Sequence, residues 1–558
     1  MSVSVIMEIT APKLEYGLLL PFVLIFAGAC VGVLVEAFVP RASRHLAQLV
    51  VTFASIAGAL IMTITNWSLR AGSTTTAVGS IALDGPTYFM WALLLIFGAL
   101  SVLLFAERTV ESGVSVFAPQ AAAVPGTVSE REAIAAKVEQ TEVYPLALFA
   151  LSGMMLFPAS NDLITMFVAL EILSLPLYLM CGLARRRRLL SQEASLKYFL
   201  LGALSSAFFV YGAALLYGYA GSFDLAAIDV AVRTSTQGPG LLLAGVGLIG
   251  IGLLFKFGAV PFHSWTPDVY AGAPTPVTGF MAACTKIAAI GALIRVFYVA
   301  LGADRWDWQP LMAIIAVATM AVGSVLAITQ TDVKRMLAYS SIAHAGFIMT
   351  AFVGAYQAAS GGKAGSLTSI GAIMFYLVAY GAATIGAFAF ITVVRDPSGE
   401  ATLLSSWVGL GRRSPLAACV FSLFMLSFAG IPLTSGFIGK WAVFAAAWSG
   451  GAHWLVVVAV VISVVAAFFY IRVIVLMFFS GPGRTAPEVV RPGWATLVAL
   501  GVGVVATVAF GIFPGPLLDL VQHAGEMLRC SRCRTIRCRS SAGHEGNRLG
   551  LVPCLLCS

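Results

Sequence analysis

Charge is what this sequence has least of. Asp, Glu, Lys and Arg make up 10% of its 558 residues, against about a quarter in soluble globular domains, so a water-soluble fold is excluded. Polar stretches long enough to frame a soluble core are missing too: 59% of the chain is hydrophobic and mean hydropathy is +0.94. The nine cysteines offer no disulfide framework. Cys30, Cys181, Cys284 and Cys419 stand singly in apolar runs, where cysteine acts as a small hydrophobe, and five more crowd into the last 29 residues. No basic segment or small-residue cleavage site precedes the first apolar run, so that run is expected to be retained as a span. Carboxylates are nearly absent from the apolar runs and the histidines there lie in different runs, so no metal site is expected.

A helix crosses the bilayer with about 20 apolar residues. Apolar runs at about 16–39, 45–67, 87–106, 143–158, 161–183, 194–219, 241–265, 274–300, 310–329, 334–356, 368–394, 415–447, 452–480 and 493–513 predict an all-α integral membrane protein with about fourteen transmembrane helices. The basic residues test that count. Odd-numbered loops carry sixteen of them, Arg185 to Arg188 included, while even-numbered loops carry four: Arg70, Arg233, Arg305 and Lys363. The positive-inside rule then puts the odd loops in the cytoplasm and both ends of the bundle outside. Arg185 to Arg188 read as an anchor that fixes orientation, not as a lipid or nucleic-acid site. The long insertion from Glu107 to Glu142 reads as a solvated loop with one short helix near Ser129 to Gln140.

Two segments repeat. Ala259-Val260-Pro261-Phe262-His263-Ser264 in the seventh run matches Gly430-Ile431-Pro432-Leu433-Thr434-Ser435 in the twelfth, 171 residues on. Shifted by the same distance, Glu171 in the fifth run falls within two residues of His344 in the tenth. Helices four to eight (143–300) and nine to thirteen (301–480) therefore read as two five-helix units; because five is odd, the second is inverted. A three-helix segment (1–142) precedes them and a last helix (481–520) follows. Pro261 and Pro432 predict that helices 7 and 12 are broken, which a bilayer tolerates only beside protein or a watery cavity.

Six basic residues fall inside the runs: Lys197, Lys256, Lys286, Arg295, Lys440 and Arg472. Lys197, Arg295 and Arg472 lie where a side chain can snorkel or pair. Lys256, Lys286 and Lys440 together with Glu171 cost on the order of 10 kcal/mol to insert, a load that implies use. Burial disfavours the charged form of each unless it finds a partner, so these groups can switch. With His263 and His344, and with Tyr339 and neighbouring hydroxyls to hold water, they read as a proton relay. Gly245-Val-Gly247-Leu-Ile-Gly250 copies a dinucleotide fingerprint but sits inside an apolar run, where small residues serve helix packing. The stretch 521–558 breaks with everything before it. Its six arginines and two glutamates, and its Cys530-x-x-Cys533 and Cys554-x-x-Cys557 pairs, read as an aberrant or disordered tail and not as a zinc ribbon.

The wording around the first break is distinctive. Lys256-Phe-Gly-Ala-Val-Pro261-Phe-His263-Ser-Trp265-Thr-Pro267-Asp268-Val-Tyr270, followed by Lys286, resembles the antiporter-like membrane subunits of proton-pumping NADH:quinone oxidoreductase, respiratory complex I. Thr331-Asp332-Val-Lys334-Arg335 through His344, and Ala429 through Lys440, resemble the same family, and the likeness runs across all fourteen predicted helices. The resemblance implies that Glu171 and Lys256 form an ion pair at an input half-channel, that Lys286 is the central relay and that Lys440 gates the output. It also implies a multi-pass protein of the cell inner (plasma) membrane that holds no redox centre and binds no NADH or quinone. NAD, FMN, iron–sulfur clusters and quinone are then expected in partner subunits, the nearest partners being antiporter-like and small membrane subunits, with no nucleic acid. The same fold leaves a multisubunit Na⁺/H⁺ antiporter or a membrane-bound hydrogenase as alternatives.

Overall fold

Hydrocarbon offers the backbone no hydrogen bonds, so a spanning chain must satisfy its own peptide groups within helices. The structure, a computed structural model, describes residues 15–69, 73–111, 113–118, 127–135, 139–236, 238–354, 367–396, 399–481 and 488–525. It opens with α1 (Tyr16–Phe38) and α2 (Arg41–Leu69), a hairpin of β1 (Thr74–Thr76) and β2 (Ile81–Leu83), α3 (Gly85–Phe105) and the short α4 (Val128–Ala135). Next come α5 (Val143–Ala159), α6 (Leu163–Cys181), α7 (Arg188–Ala220), α8 (Leu225–Thr234), α9 (Gly240–Phe257), α10 (Trp265–Gly272), α11 (Thr275–Phe280) and α12 (Lys286–Ile294). A π-helical turn, Met281–Thr285, joins the last two. Then follow α13 (Arg305–Ile328), α14 (Val333–Gly354) and α15 (Ser369–Val393). Strands β3 (Val394–Asp396) and β4 (Gly399–Glu400) lead to α16 (Leu410–Arg413), α17 (Pro415–Ala429), α18 (Ser435–Ser449) and α19 (His453–Phe479). Strand β5 (Glu488–Val489) completes a small sheet with β3 and β4, and α20 (Trp494–Ile512) and α21 (Gly515–Ala524) close the described chain.

Each of the fourteen predicted runs falls on helix. Twelve helices among the described residues are long and apolar enough to cross a membrane by length and composition; the fourth and twelfth runs fall on the shorter apolar helices α5 and α17. Both predicted breaks are present. α9 stops at Gly258 (φ +78) and α17 at Gly430 (φ +81), left-handed positions that favour glycine, and the chain resumes as α10 and α18. The insertion before α5 is not simply a solvated loop: Phe117 is 1% exposed and stacks edge-on against Phe105, and Ala118 N donates to Leu183 O at 2.7 Å. α4 supplies the short helix; the tail beyond Gly525, with its cysteines, and Lys363 lie outside the described residues.

Burial sorts the helices into two shells. The most apolar stretches of α11–α12 and α15 are wholly buried and that of α14 is 94% buried, whereas two-thirds or more of those of α2, α7, α19 and α20 are not fully buried. Lys286 and His344 therefore sit on the innermost helices.

Two packing units look alike. α5 packs on α6, and α13 on α14. At the start of α6, Asp162 accepts from Thr165 N at 2.7 Å, while Leu163 N and Leu225 N exchange bonds with Phe223 O and Asn161 O across the next loop. At the start of α14, Asp332 accepts from Arg335 N at 3.0 Å, and Val333 N and Leu404 N bond Thr402 O and Thr331 O in the same way.

A carboxylate ties the first segment to the last helix. Glu107, just past α3, accepts from Thr109 N at 2.8 Å and from Thr496 Oγ1 at 2.7 Å, at the positive N-terminal end of α20. Burial by itself raises its pKa, but the bonds from Thr109 and Thr496 outweigh that and hold it below the ordinary value. A depressed carboxylate stabilises the fold above its unfolded pKa and loses that contribution as pH falls through the folded value. Glu107→Gln is expected to lower the melting midpoint of the detergent-solubilised subunit at pH 7. The gap from wild type should close below about pH 4.

Candidate functional site

A helix that stops inside a bundle leaves its last carbonyls without intrahelical donors, at the negative end of its dipole. Two lysines answer that need in the same way. Lys286, the first residue of α12 beyond the π turn, donates from Nζ to Phe257 O at 3.0 Å. Lys440 in α18 donates to Ala429 O at 2.8 Å and to Ser463 Oγ at 2.9 Å. Phe257 and Ala429 are the residues immediately before the left-handed glycines at which α9 and α17 end. Each ammonium also lies over an aromatic face, Lys286 5.2 Å from the Phe257 ring centre and Lys440 4.9 Å from that of Phe347. A Cβ at Gly430 would meet Lys440 Cδ at 2.8 Å and Nζ at 3.2 Å, so the glycine also makes room for the lysine. Nearness in sequence suggests Lys256 and Lys440 as the matched pair beside the breaks; by chemistry the pair is Lys286 and Lys440.

Lys256 faces the other way, from the last turn of α9 toward α6 and α7. Its Nζ donates to Ser174 Oγ at 2.8 Å and to Tyr198 Oη at 3.5 Å, between the rings of Tyr178 and Tyr198. Glu171 stands about one turn before Ser174 and interacts with Lys256 through space. The direct ion pair that the family resemblance implies is not formed: no contact within 4.0 Å joins the two, and Glu171 Oε1 is buried with no hydrogen-bond partner in the protein. Ser174 takes the ammonium instead.

Within electrostatic reach of both capped lysines is His344 of α14, 3% exposed. One ring nitrogen bonds Tyr376 Oη of α15 and the other bonds Tyr470 Oη of α19 at 3.2 Å; Tyr470 in turn bonds Ser340. The ring of Tyr380 packs 4.9 Å from the imidazole, and the charges of both Lys286 and Lys440 act on it. The buried hydroxyls of Ser341 and Thr384 lie beside the Tyr380 hydroxyl. A small cavity here is lined by His344, Tyr376, Tyr380, Ser427 and Gly439.

The remaining predicted residues are not drawn into this line. Lys197 forms ion pairs with Glu193 at 2.7 Å and Asp268 at 2.9 Å, its side chain 43% exposed, and Asp268 also holds Arg335 at 3.2 Å. His263 lies half-buried in the break after Pro261, its Nδ1 without a partner in the protein, and Tyr339 is partly exposed. Arg472 donates to Ile328 O at 2.7 Å. Arg295, expected near a helix end, is fully buried against Asp84 at 2.6 Å, bonding Thr87 Oγ1 and Pro158 O as well. Gly245 lies in α9 against α7, where a Cβ would meet Leu216 at 2.8 Å, so the dinucleotide pattern is helix packing. Among the described residues no cluster of three His, Cys, Asp or Glu side chains is placed to hold a metal. Sequence reasoning missed Tyr376, Tyr470, Ser174 and Ser463. A tyrosine or serine in an apolar run reads as packing, and its one signal is a polar atom at mid-span.

The transmembrane family described as NADH:quinone oxidoreductase/Mrp antiporter matches residues 160–466, both breaks and Lys256, Lys286 and Lys440 included. NADH-quinone oxidoreductase subunit N of a Nocardioides species is 56% identical over 535 residues, covering 94% of this chain and all of that one. The same subunit of Rhodococcus opacus is 56% identical over 541 residues, covering 93% and 98%. Among solved structures, respiratory complex I from Thermus thermophilus with bound aureothin contains a chain 33% identical, with TM-score 0.70, covering 90% of this chain and 99% of that one. An Mrp complex of a Dietzia species matches at 21% identity and TM-score 0.74, which shows a shared fold. On these matches the chain belongs to the antiporter-like membrane subunits of NADH:quinone oxidoreductase and, among them, to the subunit N family.

Proposed function

We propose that Glu171, Lys256, Lys286, His344 and Lys440 pass protons across the membrane in that order, as the charge-carrying line of a subunit of complex I. The chain is a multi-pass membrane subunit of the H⁺-translocating NADH:quinone oxidoreductase. The observation that carries the relay is the placement of two lysines on the carbonyl ends of two broken helices, with a histidine hydrogen-bonded at both ring nitrogens within electrostatic reach of both. Each ammonium rests on a helix dipole, and each can give up its proton to a bridging hydroxyl or water without stranding a carboxylate. Tyr376 and Tyr470 hold both imidazole nitrogens, so proton movement through His344 involves a change of tautomer that these hydroxyls accommodate.

The matched pairs α5–α6 and α13–α14, the aspartates at the starts of α6 and α14, and the breaks at Gly258 and Gly430 support two inverted five-helix units. With α5 and α17 counted as crossings, the chain spans the plasma membrane fourteen times, with odd loops in the cytoplasm and both bundle ends outside. Redox cofactors and quinone belong to partner subunits, whose electron transfer drives the charge switching here, and the flanking antiporter-like and small membrane subunits complete the path. The sodium/proton antiporter alternative has less behind it, because relatives at 51–56% identity carry the subunit N name whereas the Mrp likeness extends to the fold.

Glu171→Gln keeps the side chain's shape and removes the charge that acts on Lys256. The complex is expected to assemble and reduce quinone while the proton-to-electron ratio falls, measured in reconstituted vesicles. An unchanged ratio would remove Glu171 from the path.

A further inference from the structure

Arg185 to Arg188 do more than flank a helix. Three of them line a cavity on the face formed by the odd-numbered loops, where the connections after α3, α6, α10 and α15 and the start of α14 converge. Its wall carries the side chains of Arg185, Arg186, Arg187, Lys334 and Arg395, five cations from three separate segments. Among the described residues that line it, Glu400 is the one carboxylate.

The local structure is shaped around these side chains. Arg187 has φ +56, a left-handed conformation that a non-glycine residue seldom adopts, and its guanidinium donates to Thr402 Oγ1 at 2.9 Å. Gly399 sits at φ +127, and a Cβ there would meet Arg186 Cδ at 2.7 Å, so the absence of a side chain leaves Arg186 its place. Lys334 and Arg395 are 3% and 8% exposed. Lys334 Nζ donates to Ala273 O at 2.7 Å, and Glu400 accepts from Thr275 Oγ1 at 2.5 Å. Arg186 and Arg187 are exposed and Arg185 is half-buried. Orientation in a membrane requires basic loops, but it does not require buried Lys334 and Arg395 to be gathered with three further cations around one cavity, where burial of those two weakens the screening of their charge. Planar guanidinium forks match the oxygens of a phosphate, and basic pockets between transmembrane helices on the cytoplasmic side take anionic headgroups.

We propose that this cavity binds a phosphate-bearing anion. Two sources share that chemistry, the headgroup of an anionic phospholipid and phosphate dissolved in the cytosol. The purified complex is to be measured for saturable binding of radiolabelled inorganic phosphate, before and after lipid removal, in wild type, in R185Q/R187Q and in E400Q. Wild type is expected to bind one more phosphate than R185Q/R187Q, or to bind it at least tenfold more tightly. E400Q, which removes the opposing carboxylate and keeps every cation, should bind several-fold more tightly than wild type, a gain that misfolding cannot imitate. Equal binding before and after lipid removal identifies dissolved phosphate. Binding only after lipid removal, with competition from phosphatidylglycerol vesicles and none from phosphatidylcholine, identifies a headgroup. The same phosphate binding in all three proteins under both conditions overturns the proposal.

Discussion

Lys286→Arg is expected to leave the subunit folded and the complex assembled, yet to stop proton translocation through this chain. The guanidinium can still donate to the Phe257 carbonyl, so the cap on α9 survives, but arginine holds its proton at any pH the protein meets. Lys286→Met tests the other half. It strands the Phe257 carbonyl, at a cost of about 1–3 kcal/mol, and also removes a buried ammonium whose insertion costs about as much, so folding should change little while translocation is again lost. Quinone reduction and proton uptake are to be followed in the same reconstituted vesicles. Normal pumping by Lys286→Arg would make Lys286 a fixed structural cap, with proton transfer running elsewhere.

Arg295→Met is expected to have the largest effect on stability. Its partner Asp84 is 1% exposed and also caps α3, accepting from Thr87 N at 3.1 Å, and through Pro158 O the guanidinium reaches the end of α5. Breaking a buried pair from one side leaves an uncompensated charge and costs about 3–5 kcal/mol. Thermal melting of the detergent-solubilised subunit should show that loss. The double change Arg295→Met with Asp84→Asn should recover most of it, because asparagine still caps the helix and no charge remains unpaired. A double variant no more stable than the single one would mean that the guanidinium's contacts to Pro158 and Thr87 matter more than its charge.

The sequence made the expensive features legible. A lysine deep in an apolar run has few bland explanations, so Lys256, Lys286 and Lys440 stood out, and Pro261 and Pro432 marked the breaks because proline removes a backbone donor wherever it sits. Partners were harder to read. Nothing in the spelling of the chain says that Lys256 turns toward Ser174 and two tyrosine rings while Glu171 stays out of contact, because that choice depends on the angles at which α6, α7 and α9 pack. Arg295 looked like a snorkelling end residue for the same reason: Asp84, 211 positions away, lies at the start of another helix. Tyr376 and Tyr470 were hidden differently, since a buried tyrosine costs little until its hydroxyl lacks a partner. Charge counting assigned the Arg185 to Arg188 run a side of the membrane, but only the folded loops bring it together with Lys334 and Arg395.

The helix ends on which Lys286 and Lys440 rest have a consequence for ancestry. A carboxylate partner would tie a lysine to one address, since both side chains would have to change together. A helix end makes no such demand, and any neighbouring backbone position within reach of the exposed carbonyls can supply the ammonium. Two such positions occur in this one chain: Lys286 arrives at the end of α9 from a later helix, while Lys440 folds back from the second half of the same interrupted helix onto the first. A duplicated unit could thus lose its lysine at one place and regain it at another without passing through a copy that lacked the function. Searches for the equivalent residue in distant relatives should therefore follow the carbonyl and not the alignment column.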